Sequence, residues 1–241
     1  MWSGPRNIST ALMRSFGARA DCAVTDEPFY AHYLQATGIV HPGREEIIAS
    51  QSTDATEVAT WLSGPPPEGK AVWYQKHMTH HHLPGMPTDW WETVRHAFLI
   101  REPADMLTSL LEVLPQPDLE ATGLPGQRRI YDSITARQGG VPPPVIDSRD
   151  VLRNPAGVLR ALCERLGIAW DPAMLQWAPG PRPTDGVWAR HWYRNVEAST
   201  GFAPYRPKDA VVPDGYRSVL AEAEDLYAEM AQHRLQVPDV S

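Results

Sequence analysis

Cysteine is scarce in this chain, with Cys22 and Cys163 the only two among 241 residues. Two thiols cannot build a disulfide framework, which excludes a small cross-linked secreted module and suits a reducing compartment. Both lie in apolar surroundings, "DCAV" and "RALCERL", where a buried structural thiol is the expectation. Positive charge is short as well. Lys and Arg total 22 against 29 Asp and Glu, a formal net charge of -7. That balance argues against nucleic acid or an anionic polymer as the main partner and leaves room for a local basic pocket. No apolar run approaches membrane-spanning length and no signal-peptide pattern opens the chain, so a cytoplasmic protein with no membrane partner is expected. Solenoid repeats and charge blocks are missing too. Hydrophobic residues at 42% and charged residues at 21% fit an ordinary globular protein. One domain over 1–241 with a small-molecule ligand is the simplest expectation.

A further absence lies in "WSGPRNIST", Trp2 to Thr10. A triphosphate-binding loop has the form G-x-x-x-x-G-K-[ST], its lysine on the terminal phosphates and its hydroxyl on magnesium. Here the lysine is missing. Only Met1 and Trp2 precede the loop, so the first strand is either a stub or continues upstream of the sequence given.

What is present is an anion-binding pattern of another kind. Gly4, Pro5, Arg6, Asn7 and Ile8 lead into a helical pattern that starts near Ser9. A helix start presents unpaired N–H groups at its positive dipole end, and Ser9 and Thr10 add hydroxyl donors. Arg6 brings a permanent charge on a planar fork suited to phosphate-like oxygens.

Four later segments read as short buried strands: Cys22–Asp26, Lys70–Gln75, His96–Ile100 and Pro144–Ser148. Amphipathic helical patterns at 9–20, 44–51, 54–62, 103–114, 155–167 and 216–234 separate or follow them. Proline runs at 64–69 and 139–144 mark loops. Alternating β and α segments predict a three-layer α/β/α fold, P-loop NTPase-like, around a mostly parallel sheet. Ligands then bind beyond the carboxyl ends of the strands.

"HAFLI" ends in Arg101, where metal-nucleotide chemistry would want an aspartate. Pro103 opens the following helix, and Ser109 lies about two turns along it. An arginine and a serine so placed can grip one phosphate, which suggests a second anion site beside the first loop.

With these residues in view, the sequence resembles the sulfotransferase family that uses 3′-phosphoadenosine 5′-phosphosulfate (PAPS). "SGPRNISTAL" looks like the 5′-phosphosulfate loop in its bacterial, arginine-containing form. "IREPADMLTS" is similar to the 3′-phosphate motif, and "VIDSRDVLRNPAGVLRALCERLGIAWD" resembles the segment that follows. The resemblance implies a PAPS co-substrate, no metal, and a hydroxyl or amine of a small acceptor. It implies phosphosulfate contacts from Gly4 to Thr10, with Arg6 catalytic, and 3′-phosphate contacts from Arg101 and Ser109. Glu27, in "TDEPF", matches the glutamate that some members use as base.

Other members place lysine, then histidine two residues on, at the end of the third strand. In "YQKHMTHHH" Lys76 fits the lysine, Met78 stands at the histidine position, and His77 and His80 are nearby substitutes. The departure at Met78 favours Glu27 over a histidine as the base that the resemblance implies. His77, His80, His81 and His82 are expected to line an acceptor cleft rather than hold a metal. Phe29, Tyr30, Tyr33, Trp90, Trp91 and Trp188 to Asn195 are candidates for its wall, with Arg190 and Arg194 as candidate C-terminal phosphate contacts. A phosphotransferase or NTP hydrolase of the same fold, and a non-catalytic nucleotide-binding relative, are the competing readings. The C-terminal amphipathic helix can pack internally or against a second copy.

Overall fold

The computed structural model describes residues 1–207 and 209–237; the expected single domain over 1–241 also takes in Lys208 and 238–241, which lie outside the described residues. In chain order the helices and strands are β1 (Trp2–Ser3), α1 (Ser9–Gly17), β2 (Cys22–Asp26), α2 (Tyr30–Thr37), α3 (Arg44–Ser50), α4 (Ala55–Leu62), β3 (Val72–Met78) and β4 (Phe98–Ile100). They continue with α5 (Pro103–Leu111), α6 (Leu124–Arg137), β5 (Val145–Asp147), α7 (Ser148–Arg153), α8 (Pro155–Leu166), α9 (Ala189–Trp192), α10 (Arg194–Glu197) and α11 (Arg217–Ala231).

The five strands form one sheet in the order β2-β3-β1-β4-β5, every pairing parallel. The expected α/β class and parallel sheet are what the chain adopts. Two layers cover it. Leu12, Met13 and Phe16 of α1 pack with Leu34 of α2 and Leu159 and Leu162 of α8 on one face. Val58 and Leu62 of α4, Ile130 and Ile134 of α6 and Met230 of α11 pack on the other. Both faces of such a sheet are buried, which is why the strands read as short apolar runs.

β1 lies between β3 and β4, so the chain reverses its direction of strand addition at β1. An open parallel sheet forms its ligand crevice at such a switch point, beyond the carboxyl strand ends. The loop after β1, the end of β3 and the start of the segment after β4 converge there.

β3 runs further than the Lys70–Gln75 read from the sequence. Pairing of Trp2 with His77 and of Ser3 with Met78 extends it, so Lys76 and His77 belong to the strand itself. Five helices escaped the sequence reading: α2, α6 and the short α7, α9 and α10. Among the described residues, no helix is long and apolar enough to cross a membrane.

Candidate active site

The loop from Gly4 to Ile8 packs against the turn before α6. A Cβ placed on Gly4 would lie 2.5 Å from the Thr122 carbonyl oxygen, and one on Gly123 2.7 Å from the Gly4 Cα. Only glycines allow this approach. Thr79 Oγ1 fastens the pair by donating to the Gly123 carbonyl at 2.9 Å. Ile8 then leads into α1 with no side chain capping the helix start and no acid in its first turn. In α4, α5, α7 and α8, by contrast, a side chain accepts from the first turn. The start of α1 therefore leaves its amide donors and positive dipole end without a capping side chain, as do the starts of α2, α6 and α11.

Arg6, Arg101 and Ser109 meet beside this helix end. Arg6 Nε donates to Ser109 Oγ at 3.0 Å, and the Arg101 guanidinium donates to the Arg6 carbonyl. The two expected anion sites thus adjoin. Arg6 also lies 3.9 Å from Glu112, which is 71% exposed, a solvent-screened pairing of little energetic worth. Partial burial lowers the Arg101 pKa; Asp105 opposes that effect and Arg6 adds to it. An arginine does not lose its proton, so the pair concentrates positive charge beside the start of α1.

Asn7 of the loop donates from Nδ2 to the Leu99 carbonyl at 3.1 Å, and Gln127 of α6 reaches the same oxygen at 2.9 Å. The other amide atoms, Asn7 Oδ1 and Gln127 Oε1, are buried and unpaired.

Glu27 and Lys76 meet one strand away. Asp26 and Lys76 are register partners across β2 and β3, so their side chains rise from the same face. Lys76 Nζ donates to Asp26 Oδ1 at 2.8 Å, to Glu27 Oε1 at 2.5 Å and to Tyr193 Oη at 2.8 Å. Tyr193 arrives from the segment joining α9 to α10 and donates to Asp26 Oδ2 at 2.6 Å. A buried ammonium needs such partners. The two carboxylates outweigh desolvation and raise the Lys76 pKa. Burial raises Glu27 to about 7, Lys76 pulling it down and Asp26 pushing it up.

Backbone conformation marks the same two places. Arg6 and Glu27 have φ of 57° and 41°, and among the described residues Glu68 alone joins them as a non-glycine with positive φ. Side-chain-bearing residues held in this region cost about 1–3 kcal/mol and cluster at functional sites.

His77 is not brought to this site. Side chains alternate along a strand, so it points to the opposite face from Lys76 and stacks on Trp2 with ring centroids 4.6 Å apart. Trp90 and Phe29 lie 5.2 and 6.0 Å from it. Burial drives its pKa well below 6.5. Phe29, Trp90 and Trp91 are buried members of that same interior cluster. His81 comes closest to the carboxyl, with Nδ1 3.8 Å from Glu27 Oε2, sandwiched between Tyr30 and Tyr33. Burial lowers His80 and His82 to about 4, so the histidine run is uncharged at neutral pH. No group of three His, Cys, Asp or Glu side chains among the described residues is arranged to hold a metal. Arg190 pairs with Glu46 on the surface, and Arg194 is exposed.

A cavity of about 310 Å³ lies elsewhere, lined by Ala71, Val72, His96 and Ala97 at the amino ends of β3 and β4 and also by His77 and Trp90. Arg6, Glu27, Lys76, Arg101 and Ser109 are not among its lining residues.

Sequence reasoning missed Asp26 and Gln127, and it offered Tyr193 for the acceptor wall without its bonds to Asp26 and Lys76. Asp26 carried a signal: an acidic pair ends β2 beside the lysine that ends β3.

The carboxyl edge of the parallel α/β sheet thus gathers a helix start without a side-chain cap, two adjoining arginines and a buried carboxyl–ammonium cluster. Residues 1–234 match the family model described as a sulfotransferase domain, and the chain belongs to that family. It is 37% identical over 235 residues to branched-chain-amino-acid aminotransferase-like protein 1 of Arabidopsis thaliana, and 34% identical over 232 residues to protein 2 of the same name. These alignments cover 96% of the chain but 41% of either relative. Among solved structures, the sulfotransferase of Alicyclobacillus acidocaldarius is similar in fold. Its TM-score is 0.54 at 14% identity, over 97% of this chain and 96% of that one. The sulfotransferase domain of the Synechococcus PCC 7002 olefin synthase gives a TM-score of 0.52 at 16% identity, over 98% and 94% of the two chains.

Proposed function

We propose that the chain moves a sulfuryl group from PAPS to a hydroxyl or amine of a small acceptor. The observation that carries this reading is the junction of Arg6, Arg101 and Ser109 at the open start of α1, one strand from buried Glu27. PAPS supplies the activated sulfuryl group and, on transfer, a bisphosphate leaving group. The amides from Asn7 to Thr10 and the Arg6 guanidinium bind the phosphosulfate end and stabilise the negative charge that grows on the leaving oxygen. Arg101 and Ser109 bind the 3′-phosphate. Glu27 Oε2, which carries no hydrogen bond, takes the acceptor's proton. Its pKa of about 7 suits a base working near neutral pH. Lys76 keeps that carboxylate in place.

The test is thermal stabilisation by adenosine 3′,5′-bisphosphate, compared with ADP and ATP, each with and without magnesium. Stabilisation by the bisphosphate without metal, lost in Arg101→Ala, is expected. Magnesium-dependent stabilisation by ATP with no response to the bisphosphate would sink the reading in favour of a phosphotransferase.

A further inference from the structure

An ammonium has three N–H bonds to give, and Lys76 gives all three to atoms of its own chain. None is left for a ligand, so Lys76 acts on bound molecules through Glu27. Tyr193 is equally committed. Its single O–H goes to Asp26 Oδ2, and its oxygen accepts from Lys76 and, at 3.2 Å, from Trp188 Nε1. Asp26 Oδ2 also receives the Gly186 N–H at 3.3 Å. Asp26 is thus held from three directions, whereas the Glu27 carboxyl accepts one bond, from Lys76.

We propose that Asp26 and Tyr193 are positioning residues for the reaction, holding Lys76 between two carboxylates so that Glu27 receives only a share of one positive charge. The proposal rests on Glu27 being the base. An ammonium given wholly to Glu27 would leave a weakly basic carboxylate, and none at all would leave a buried acid that keeps its proton. Sharing sets a value between these limits.

Every group facing Glu27 enters that balance. Asp26 lies beside it on β2, Lys76 comes from β3, His81 from the turn after β3, Tyr30 from α2 and Tyr193 from between α9 and α10. Burial pushes the His81 imidazole down and both phenols up, so these three are neutral at pH 7. Asp26 and Lys76 alone bring charge.

The Glu27 carboxyl can be titrated in the ligand-free full chain by carbon NMR, with Glu27→Gln as the assignment control. Asp26→Asn gives Glu27 the whole of Lys76 and lowers its midpoint by about one pH unit. Tyr193→Phe keeps the ring but strips Asp26 of a donor; Asp26 then draws Lys76 toward itself, and the Glu27 midpoint rises. The acid limb of the kcat/KM profile for sulfuryl transfer follows the same two directions. Unchanged midpoints in the folded variants, or shifts of one sign in both, would overturn the proposal. Should Asp26→Asn fail to fold, the milder Tyr193→Phe carries the test alone. The titration needs neither donor nor acceptor, so its outcome is separate from that of the sulfotransferase reading. Opposed shifts in a protein that transfers no sulfuryl group uphold the charge sharing and overturn the reaction.

Discussion

Arg6 Nε donates to Ser109 Oγ at 3.0 Å across 103 residues of sequence, joining the loop after β1 to the second turn of α5. The contact presets the guanidinium fork before any ligand arrives. Ser109→Ala is expected to cost about 1.5 kcal/mol of bisphosphate binding, the scale of a hydrogen bond to a charged group. That is about tenfold in Kd by calorimetry. Arg6→Lys loses the planar fork as well and is expected to cost about a hundredfold. Unchanged affinity in both variants would remove this junction from the ligand site.

Gly4→Ala tests the approach of the loop to α6. The added methyl meets the Thr122 carbonyl at 2.5 Å, and backbone on both sides leaves nothing flexible to yield. A loss of about 1–3 kcal/mol is expected, read by urea unfolding. Bisphosphate binding should weaken along with it, because the loop must shift to relieve the clash.

Glu27 makes stability depend on pH with a definite sign. Its pKa is about 7 in the folded protein against 4.5 for a free side chain. Between these values the folded state binds the extra proton, so stability falls as pH rises through that window. Glu27→Gln removes the titration. The melting temperature of the variant relative to the parent should therefore climb from pH 4.5 to pH 7 and then level off. A constant difference across that range would contradict the buried acid.

Arg14 of α1 and Asp185 form a doubly bonded pair at 2.5 and 2.7 Å, with 3% and 5% of their side chains exposed. Asp185→Ala strands a buried guanidinium and is expected to cost about 3–5 kcal/mol. Replacing both partners, Arg14→Met with Asp185→Leu, should recover most of that loss in denaturant unfolding. Failure of the double variant to recover would mean that Arg14 is needed for more than its pairing.

Much of the sheet was legible because its strands are short and buried on both faces: "CAVTD" reads as β2 and is β2. α6 was not legible. Its first turn is Leu-Pro-Gly-Gln and its middle carries two arginines, so no clean apolar stripe shows at helical spacing. α2 hid behind aromatic residues that also suit a pocket. Site geometry divides in the same way. Arg6, Arg101 and Ser109 lie in local patterns that the eye can find, and the fold joins them. Tyr193 stands 167 residues from Asp26, with nothing in its neighbourhood to connect the two. His77 was misdirected by proximity in sequence, since adjacent positions on a strand face opposite ways.

The alternation along β3 has a consequence for folding as well as for chemistry. A slip of one residue in its pairing would turn Lys76 into the wall of Trp2, Phe29 and Trp90, and would set His77 beside Asp26. Apolar strands slide past one another at modest cost, because one branched side chain replaces another. Here the misaligned state carries an unpaired ammonium among indole rings, and it leaves two carboxylates side by side without a cation. The residues that would do the chemistry thus also act as a proofreading device for the sheet, penalising a wrong alignment before any substrate is met.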